Sequence, residues 1–148
     1  MSEIVRICQD EVDITYFGVD YHPGCLNHLP WGGAQFDCII FTYEGYEKQV
    51  MVELVDALLK RNNDWILIGG RDTEHWHDYI DQRSVGLGRQ EAVGDGNPMS
   101  AWLEELTDLA QWDKSHNHGA SDYFLFILVG CQNFDKTVQS LKHRIREI

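Results

Sequence analysis

Asp122-Tyr-Phe-Leu-Phe-Ile-Leu-Val-Gly130 is the longest of three short apolar runs in this chain, and each run opens with an aspartate. The other two are Asp37-Cys-Ile-Ile-Phe41 and Asp64-Trp-Ile-Leu-Ile-Gly69. Near-continuous apolar runs of this length are typical of strands buried on both faces, as in a parallel sheet covered by helices. The three runs therefore predict an α/β protein, and such sheets usually bind ligands at the carboxyl ends of their strands.

Apolar residues at helical spacing follow each run, at once or after a short polar segment. Val50, Leu54 and Leu58, for example, recur at four-residue intervals, which is the pattern of an amphipathic helix with one buried face. Asp72 or Thr73 can cap the next helix, and Pro98 suits a first helical position. The predicted helices run from Tyr46 to Arg61, from Asp72 or Thr73 to Ser84, from Asn97-Pro98 through Ala110, and from Phe134 to Ile148.

The first 33 residues predict a hairpin and a long loop. An apolar run over Ile4–Cys8, a polar turn and alternating residues over Val12–Phe17 indicate two antiparallel strands. Glycine and proline are so dense from Gly18 to Gly33 that a helix is excluded there, and we expect Trp31 to pin this loop to the body of the protein.

These elements predict one domain over residues 1–148, a three-layer α/β sandwich with a small, mostly parallel sheet. Three parallel strands would form its centre, and the N-terminal hairpin would lie at a sheet edge. The architecture resembles small Rossmann-like or flavodoxin-like domains, and the resemblance extends to architecture only.

Composition indicates an ordinary soluble globular protein. Hydrophobic residues make up 43% of the chain and charged residues 24%, and no apolar stretch approaches the roughly 20 residues of a membrane span. The N-terminal residues lack the basic start and apolar core of a secretion signal. The four cysteines match no zinc-binding spacing, so reduced thiols are the simplest interpretation. We therefore expect a cytoplasmic protein without a membrane partner.

The formal net charge of −12 is distributed unevenly. Residues 72–113 carry ten acidic and two basic side chains, a net charge of −8, whereas residues 136–148 have a net charge of +3. A strongly negative protein repels phosphate backbones, so nucleic acid is not an expected partner. Cations near the C-terminus of the last helix are favoured by its dipole and need no ligand. The acidic band instead favours a basic protein partner, or it serves solubility alone.

A ligand site is expected where the strands end, because helix N-termini there offer free N–H groups and a partial positive charge. Arg71 can pair with a small anionic ligand, and Gly69 and Gly70 allow a ligand to approach the backbone. Strand-to-helix turns also need glycines and capping residues when nothing binds. The predicted ligand-binding residues are Tyr43, Gly69, Gly70, Arg71, Thr73 and Asn133.

Candidate catalytic residues at the same edge are Glu44, Asp72 and Cys131. Cys131 lies between a predicted buried strand and a helix start, where the dipole can lower a thiol pKa, but it needs a base such as Glu44 or a histidine. Cysteine is equally common as a buried filler near strand ends.

Two His-x-His pairs suggest a metal site, but their placement argues against one. His75 and His77 fall at the carboxyl edge of the predicted sheet, whereas His116 and His118 precede the third strand at the opposite edge, about 20 Å away. A two-ligand site with Asp72 or Glu74 remains an alternative. Neither GxGxxG after a strand nor GxxxxGK[ST] occurs, so we expect no metal or cofactor.

The function expected from the sequence is a non-catalytic binding or protein-interaction module with an acidic surface, because no catalytic constellation is complete. The alternative is a small hydrolase or transferase with an anion-binding site at the carboxyl ends of the strands. In that alternative Arg71 binds the anion and Asp72 or Glu44 acts as acid or base.

Overall fold

The computed structural model describes residues 4–9, 15–43, 47–61, 63–86 and 123–145. Strands and helices alternate along most of this part of the chain, as the apolar runs predict. The elements are β1 (Val5–Gln9), β2 (Thr15–Asp20), a 3-10 helix (Cys25–His28), β3 (Phe36–Thr42), α1 (Lys48–Leu59), β4 (Asn63–Gly70), α2 (Thr73–Gly86), β5 (Tyr123–Val129) and α3 (Phe134–Ile145).

The five strands form one mostly parallel sheet in the order β1-β2-β5-β3-β4. β1 pairs with β2 in the antiparallel sense at one edge, as predicted for the N-terminal hairpin. β2 also pairs with β5 in the parallel sense, so the described sheet has four parallel strands where three were predicted. β3 lies between β5 and β4 and is parallel to both.

The bounds of β2 differ most from the prediction. Gly18 to Asp20 were assigned to the loop, but they belong to the strand because they pair with Phe126, Ile127 and Leu128 of β5. A β-carbon added at position 18 would lie 2.9 Å from Cδ1 of Ile7 in the neighbouring strand, so the packing there leaves little room for a side chain. The exclusion of a helix from the loop was also too strict, because one turn of 3-10 helix occurs at Cys25–His28.

Alternate residues of the strands pack into two core clusters. Cys38 and Ile40 of β3 belong to the first cluster, which also contains the buried residues of α1 and α2. Ile39 and Phe41 belong to the second cluster, together with the buried residues of α3. All seven residues of β3 are buried, as the near-continuous apolar run predicts for a central strand.

Trp31 holds the long loop against the strands, as expected from the sequence. Its ring stacks on Tyr123 at the start of β5, with 4.9 Å between the ring centroids and 14° between the planes. It also contacts Phe36 at the start of β3 and Phe17 of β2. Aromatic contacts of this kind contribute about 0.5–1.5 kcal/mol each beyond the area they bury.

Some sequence predictions fall outside the described residues. These include Glu44, the helix predicted from Asn97-Pro98, and the pair His116 and His118. Within the described part of the chain, no helix combines the length and the apolar character needed to cross a membrane.

Candidate functional site

The carboxyl ends of the four parallel strands meet at one edge of the sheet. Backbone hydrogen bonds continue the strand pairing just beyond the strands: the Tyr21 amide donates to Leu128, and the Tyr43 amide donates to Val129, each at 2.9 Å. The Arg71 amide donates to the Thr42 carbonyl at 3.0 Å. These bonds fix the backbone positions from which the candidate side chains project.

Gly70 is required by the packing of β4 against β3. Its φ is +97°, which disfavours any side chain, and a β-carbon added there would clash with the Thr42 carbonyl oxygen. The added β-carbon would also lie 2.8 Å from the Thr42 amide nitrogen. The need for glycine at this position is therefore explained by the neighbouring strand without any ligand.

Thr42 secures the end of β4 through its side chain as well. Its hydroxyl is buried and donates to the Arg71 carbonyl, while the Gly69 carbonyl lies 3.4 Å away. Asp72 follows with a left-handed φ of 56°, and its carbonyl accepts the His75 amide at 3.2 Å. Arg71 and Asp72 are exposed, whereas Thr73 is buried where α2 begins.

The helices that follow the strands belong to different core clusters, and this decides where a ligand crevice is expected. The segments that follow β2, β3 and β4 all contribute to the first core cluster, through the 3-10 helix, α1 and α2. α3, which follows β5, contributes to the second cluster. Ligand crevices in open parallel sheets lie where neighbouring strands connect to opposite faces. β2 and β3, the two neighbours of β5, are followed by segments of the first cluster, whereas β5 is followed by a helix of the second, so a crevice is expected on both sides of β5. β3 and β4 are both followed by helices of the first cluster, so no crevice is expected between them.

The predicted residues thus separate into two groups. Tyr43, Cys131 and Asn133 lie beside the end of β5, where the crevice is expected. Gly69, Gly70, Arg71, Asp72 and Thr73 lie at the end of β4, which is the outermost of the parallel strands.

Cys131 and Tyr43 contact each other and Thr137 of α3. The Cys131 sulfur lies 3.5 Å from the Thr137 hydroxyl. Burial raises the pKa of the Tyr43 phenol to about 12, with a further contribution from the Cys131 thiol. No carboxylate or imidazole is among the contacts found for Cys131 in the described residues. Among the described residues the cluster therefore includes no base for an activated cysteine nucleophile, and the candidate base Glu44 lies outside them.

A small pocket lies at the end of β2, which the sequence prediction did not include. Its cavity volume is about 30 Å³, and it opens between the 3-10 helix and α1. Since the sequence placed the end of β2 before Gly18, no strand end was expected beside Tyr21. The pocket is lined by Tyr21, Gly24, Cys25, Leu26, Asn27, Glu53, Leu54 and Ala57.

α2 carries a row of carboxylates on its solvent side. Glu74, Asp78 and Asp81 are all exposed and lie at positions i, i+4 and i+7, which share one face of a helix; we call these three residues the acidic face. Trp76 and Ile80, on the opposite side of the helix, are each only 2% exposed.

The basic residue in the last turn of α2 is engaged with α1. Arg83 Nε lies 3.0 Å from Asp56 Oδ1, and the Tyr79 hydroxyl donates to the same oxygen at 2.8 Å. This arrangement ties the two helices together and keeps the Arg83 charge beside Asp56. His77 Nδ1 lies 3.6 Å from Asp81 Oδ2 of the acidic face.

The described residues contain no group of three or more histidine, cysteine, aspartate or glutamate side chains placed to hold a metal ion. His75 is exposed on α2.

No protein-family model matches this chain, and no curated protein sequence is significantly similar to it.

Proposed function

We propose that this protein is a non-catalytic binding module that docks a basic protein partner through the acidic face of α2. One observation carries the proposal: Glu74, Asp78 and Asp81 project from the same exposed side of the helix, while Arg83 is held by Asp56. The acidic face therefore presents three carboxylates without a lysine or arginine of α2 among them.

The spacing of the acidic face suits a row of cations. Seven helical residues span about 10 Å at 1.5 Å per residue, so two or three lysine or arginine side chains of a partner can reach the carboxylates together.

The expected energy is modest because the carboxylates are exposed. Solvent-exposed ion pairs contribute about 0.2–1 kcal/mol each. Three pairs at about 0.5 kcal/mol amount to about 1.5 kcal/mol, which corresponds to roughly a tenfold change in Kd. The contribution should fall with added salt, because exposed charges are screened over about 10 Å at 0.1 M.

The test compares two variants of equal charge. E74Q/D78N/D81N removes the acidic face, and the control E47Q/D72N/D135N removes three other exposed carboxylates, at the N-cap of α1, before α2 and in α3. Each variant changes the formal net charge from −12 to −9, since each substitution removes one negative charge. Binding of an oligolysine peptide is measured by calorimetry at 50 and 300 mM salt, and we expect the first variant to bind about tenfold more weakly than the control at low salt.

Equal weakening in both variants would contradict the proposal, because it would mean that net charge rather than the acidic face attracts the peptide. Affinity that is unchanged between the two salt concentrations would also contradict it. Circular dichroism melts of both variants establish that each is folded.

We further propose that residues 1–148 form one cytoplasmic three-layer domain of the Rossmann-like or flavodoxin-like type. The support is that α1 and α2 belong to one core cluster and α3 to the other, on alternate residues of the same strands.

An anion site beside the end of β5 is a second candidate function, with or without catalysis. One support is that β3 and β5 are followed by helices of different core clusters, as is typical beside a ligand crevice. The other is that α3 begins just after β5, with Asn133 exposed immediately before the helix. A titration with inorganic phosphate, followed by the amide signals of residues 131–135, tests this site independently of the acidic face.

A further inference from the structure

The pocket at the end of β2 is distinct from both the acidic face and the end of β5. Tyr21 follows β2 directly and lines the pocket. Its amide still donates to the Leu128 carbonyl of β5 at 2.9 Å. The 3-10 helix forms another wall, where the Cys25 amide donates to the His22 carbonyl at 3.0 Å. The buried residues Leu26 and Leu54 make much of the lining apolar.

Two polar groups stand out in this apolar surrounding. The Tyr21 hydroxyl oxygen is buried and has no hydrogen-bond partner among the described residues. Glu53 also lines the pocket, but it is an exposed residue, so its carboxylate has access to solvent. The carboxylate is near enough to raise the pKa of the phenol further, after burial, yet no well-formed hydrogen bond joins the two groups.

The charges around the pocket are negative on the Tyr21 side. Glu53 and, more weakly, Glu47 both act on the Tyr21 phenol in the direction that disfavours its anion. Arg61 lies at the rim, where it donates to Asn27 Oδ1 at 3.1 Å and to the Ala57 carbonyl at 2.9 Å. Burial raises the pKa of the Cys25 thiol, so no thiolate is favoured inside.

We propose that this pocket binds the end of a primary alkylammonium ion, either a free small amine or the tip of a lysine side chain. The ammonium group donates hydrogen bonds to the Tyr21 phenol oxygen and to the Glu53 carboxylate, and the first methylene groups contact Leu54 and Ala57. An anion is disfavoured by Glu53, and a neutral apolar ligand would leave the Tyr21 hydroxyl unpaired.

The size of the pocket supports this ligand class. A water molecule needs about 10–15 Å³ of such volume, so a cavity of about 30 Å³ accepts only two or three heavy atoms. Nucleotides and drug-sized ligands need cavities of roughly 300–1,000 Å³. The binding free energy of a small ligand is at most about 1.5 kcal/mol per heavy atom. A ligand of three heavy atoms therefore gains at most about 4.5 kcal/mol, which corresponds to a Kd near the millimolar range.

The test is a titration of the isotopically labelled protein with ethylammonium chloride, with sodium chloride at the same ionic strength as the reference. We expect saturable shifts of the amide signals of residues 24–27, with a Kd in the millimolar range. Tetramethylammonium, which has no N–H donor and is wider, should cause no saturable shift. Nα-acetyl-lysine amide distinguishes the two sources of the ammonium group. If it binds, the pocket accepts a lysine side chain; if ethylammonium binds and this compound does not, the ligand is a free small amine.

Two isosteric variants decide whether the named groups form the site. Glu53→Gln should weaken ethylammonium binding about tenfold, and Tyr21→Phe should weaken it several-fold with the ring retained. The variant E74Q/D78N/D81N should bind ethylammonium like the unchanged protein, so failure of the proposed docking surface leaves this test intact. Shifts no larger than those with sodium chloride, or unchanged affinity in Glu53→Gln, would overturn the proposal.

Discussion

Among the described glycines, Gly70 is the one whose replacement with alanine should destabilise the protein most. Gly70 combines a φ of +97° with a backbone contact, because its added β-carbon would clash with Thr42. Two other glycines separate these effects. Gly32 has a φ of 65° and open space around it, while Gly33 has open space without a positive φ.

The magnitudes follow from these three environments. A left-handed φ costs an L-residue about 1–2 kcal/mol, part of which is offset by the reduced entropy of the unfolded chain. Gly32→Ala should therefore cost about 1 kcal/mol, and Gly33→Ala should change stability by less than about 0.5 kcal/mol. Gly70→Ala must in addition separate the ends of β3 and β4. This breaks the hydrogen bond from the Arg71 amide to the Thr42 carbonyl and the one from the Thr42 hydroxyl to the Arg71 carbonyl. Each lost bond costs about 1 kcal/mol of stability.

The total for Gly70→Ala is about 3–4 kcal/mol, a large part of the 5–15 kcal/mol typical of a folded domain. For a chain of this length the melting temperature should fall by about 10 °C. Guanidinium unfolding followed by tryptophan fluorescence measures the free energy for all three variants. If Gly70→Ala costs no more than Gly32→Ala, the close approach of β4 to Thr42 does not constrain the structure, and the reasoning is refuted.

Two further predictions concern the same edge of the sheet. Thr42→Val should lower the free energy of unfolding by about 1–2 kcal/mol, because it leaves the Arg71 carbonyl without its donor; an unchanged midpoint in urea would count against that hydrogen bond. The pKa of Tyr43 is raised to about 12, so the unfolded chain loses this proton first and stability should fall as pH rises from about 10 toward 12. Tyr43→Phe should lose less stability than the unchanged protein between pH 9 and pH 11, and equal losses would exclude Tyr43 as a source of the pH dependence.

The sheet could be predicted from the sequence because its strands are defined by local composition. β5 begins at Tyr123 and ends at Val129, as the apolar run indicates, and β3 differs from the predicted strand by one residue at each end. β2 was placed too early because Gly18 has the composition of a turn. Its strand conformation depends on pairing with β5, which lies more than 100 residues later in the chain.

The candidate sites were less predictable because they depend on which strands become neighbours. The strand order places β3 beside β5, and this adjacency brings Tyr43 and Asn133 to the end of the same pair of strands. Gly70 illustrates the same limit. A glycine at this position suggested that a ligand approaches the backbone, whereas the group that approaches it is Thr42 of the neighbouring strand. The pocket beside Tyr21 needs both the end of β2 and the flank of α1, which no local pattern joins.

The central claim, docking through the acidic face of α2, is tested most directly by mapping where a basic probe binds. Titration of the labelled protein with an oligolysine peptide should shift the amide signals of residues 74–82 and leave those of residues 134–143 in α3 nearly unchanged. Addition of 300 mM salt should reverse the shifts, since the carboxylates are exposed. Shifts spread evenly over the protein, or concentrated away from α2, would contradict the account.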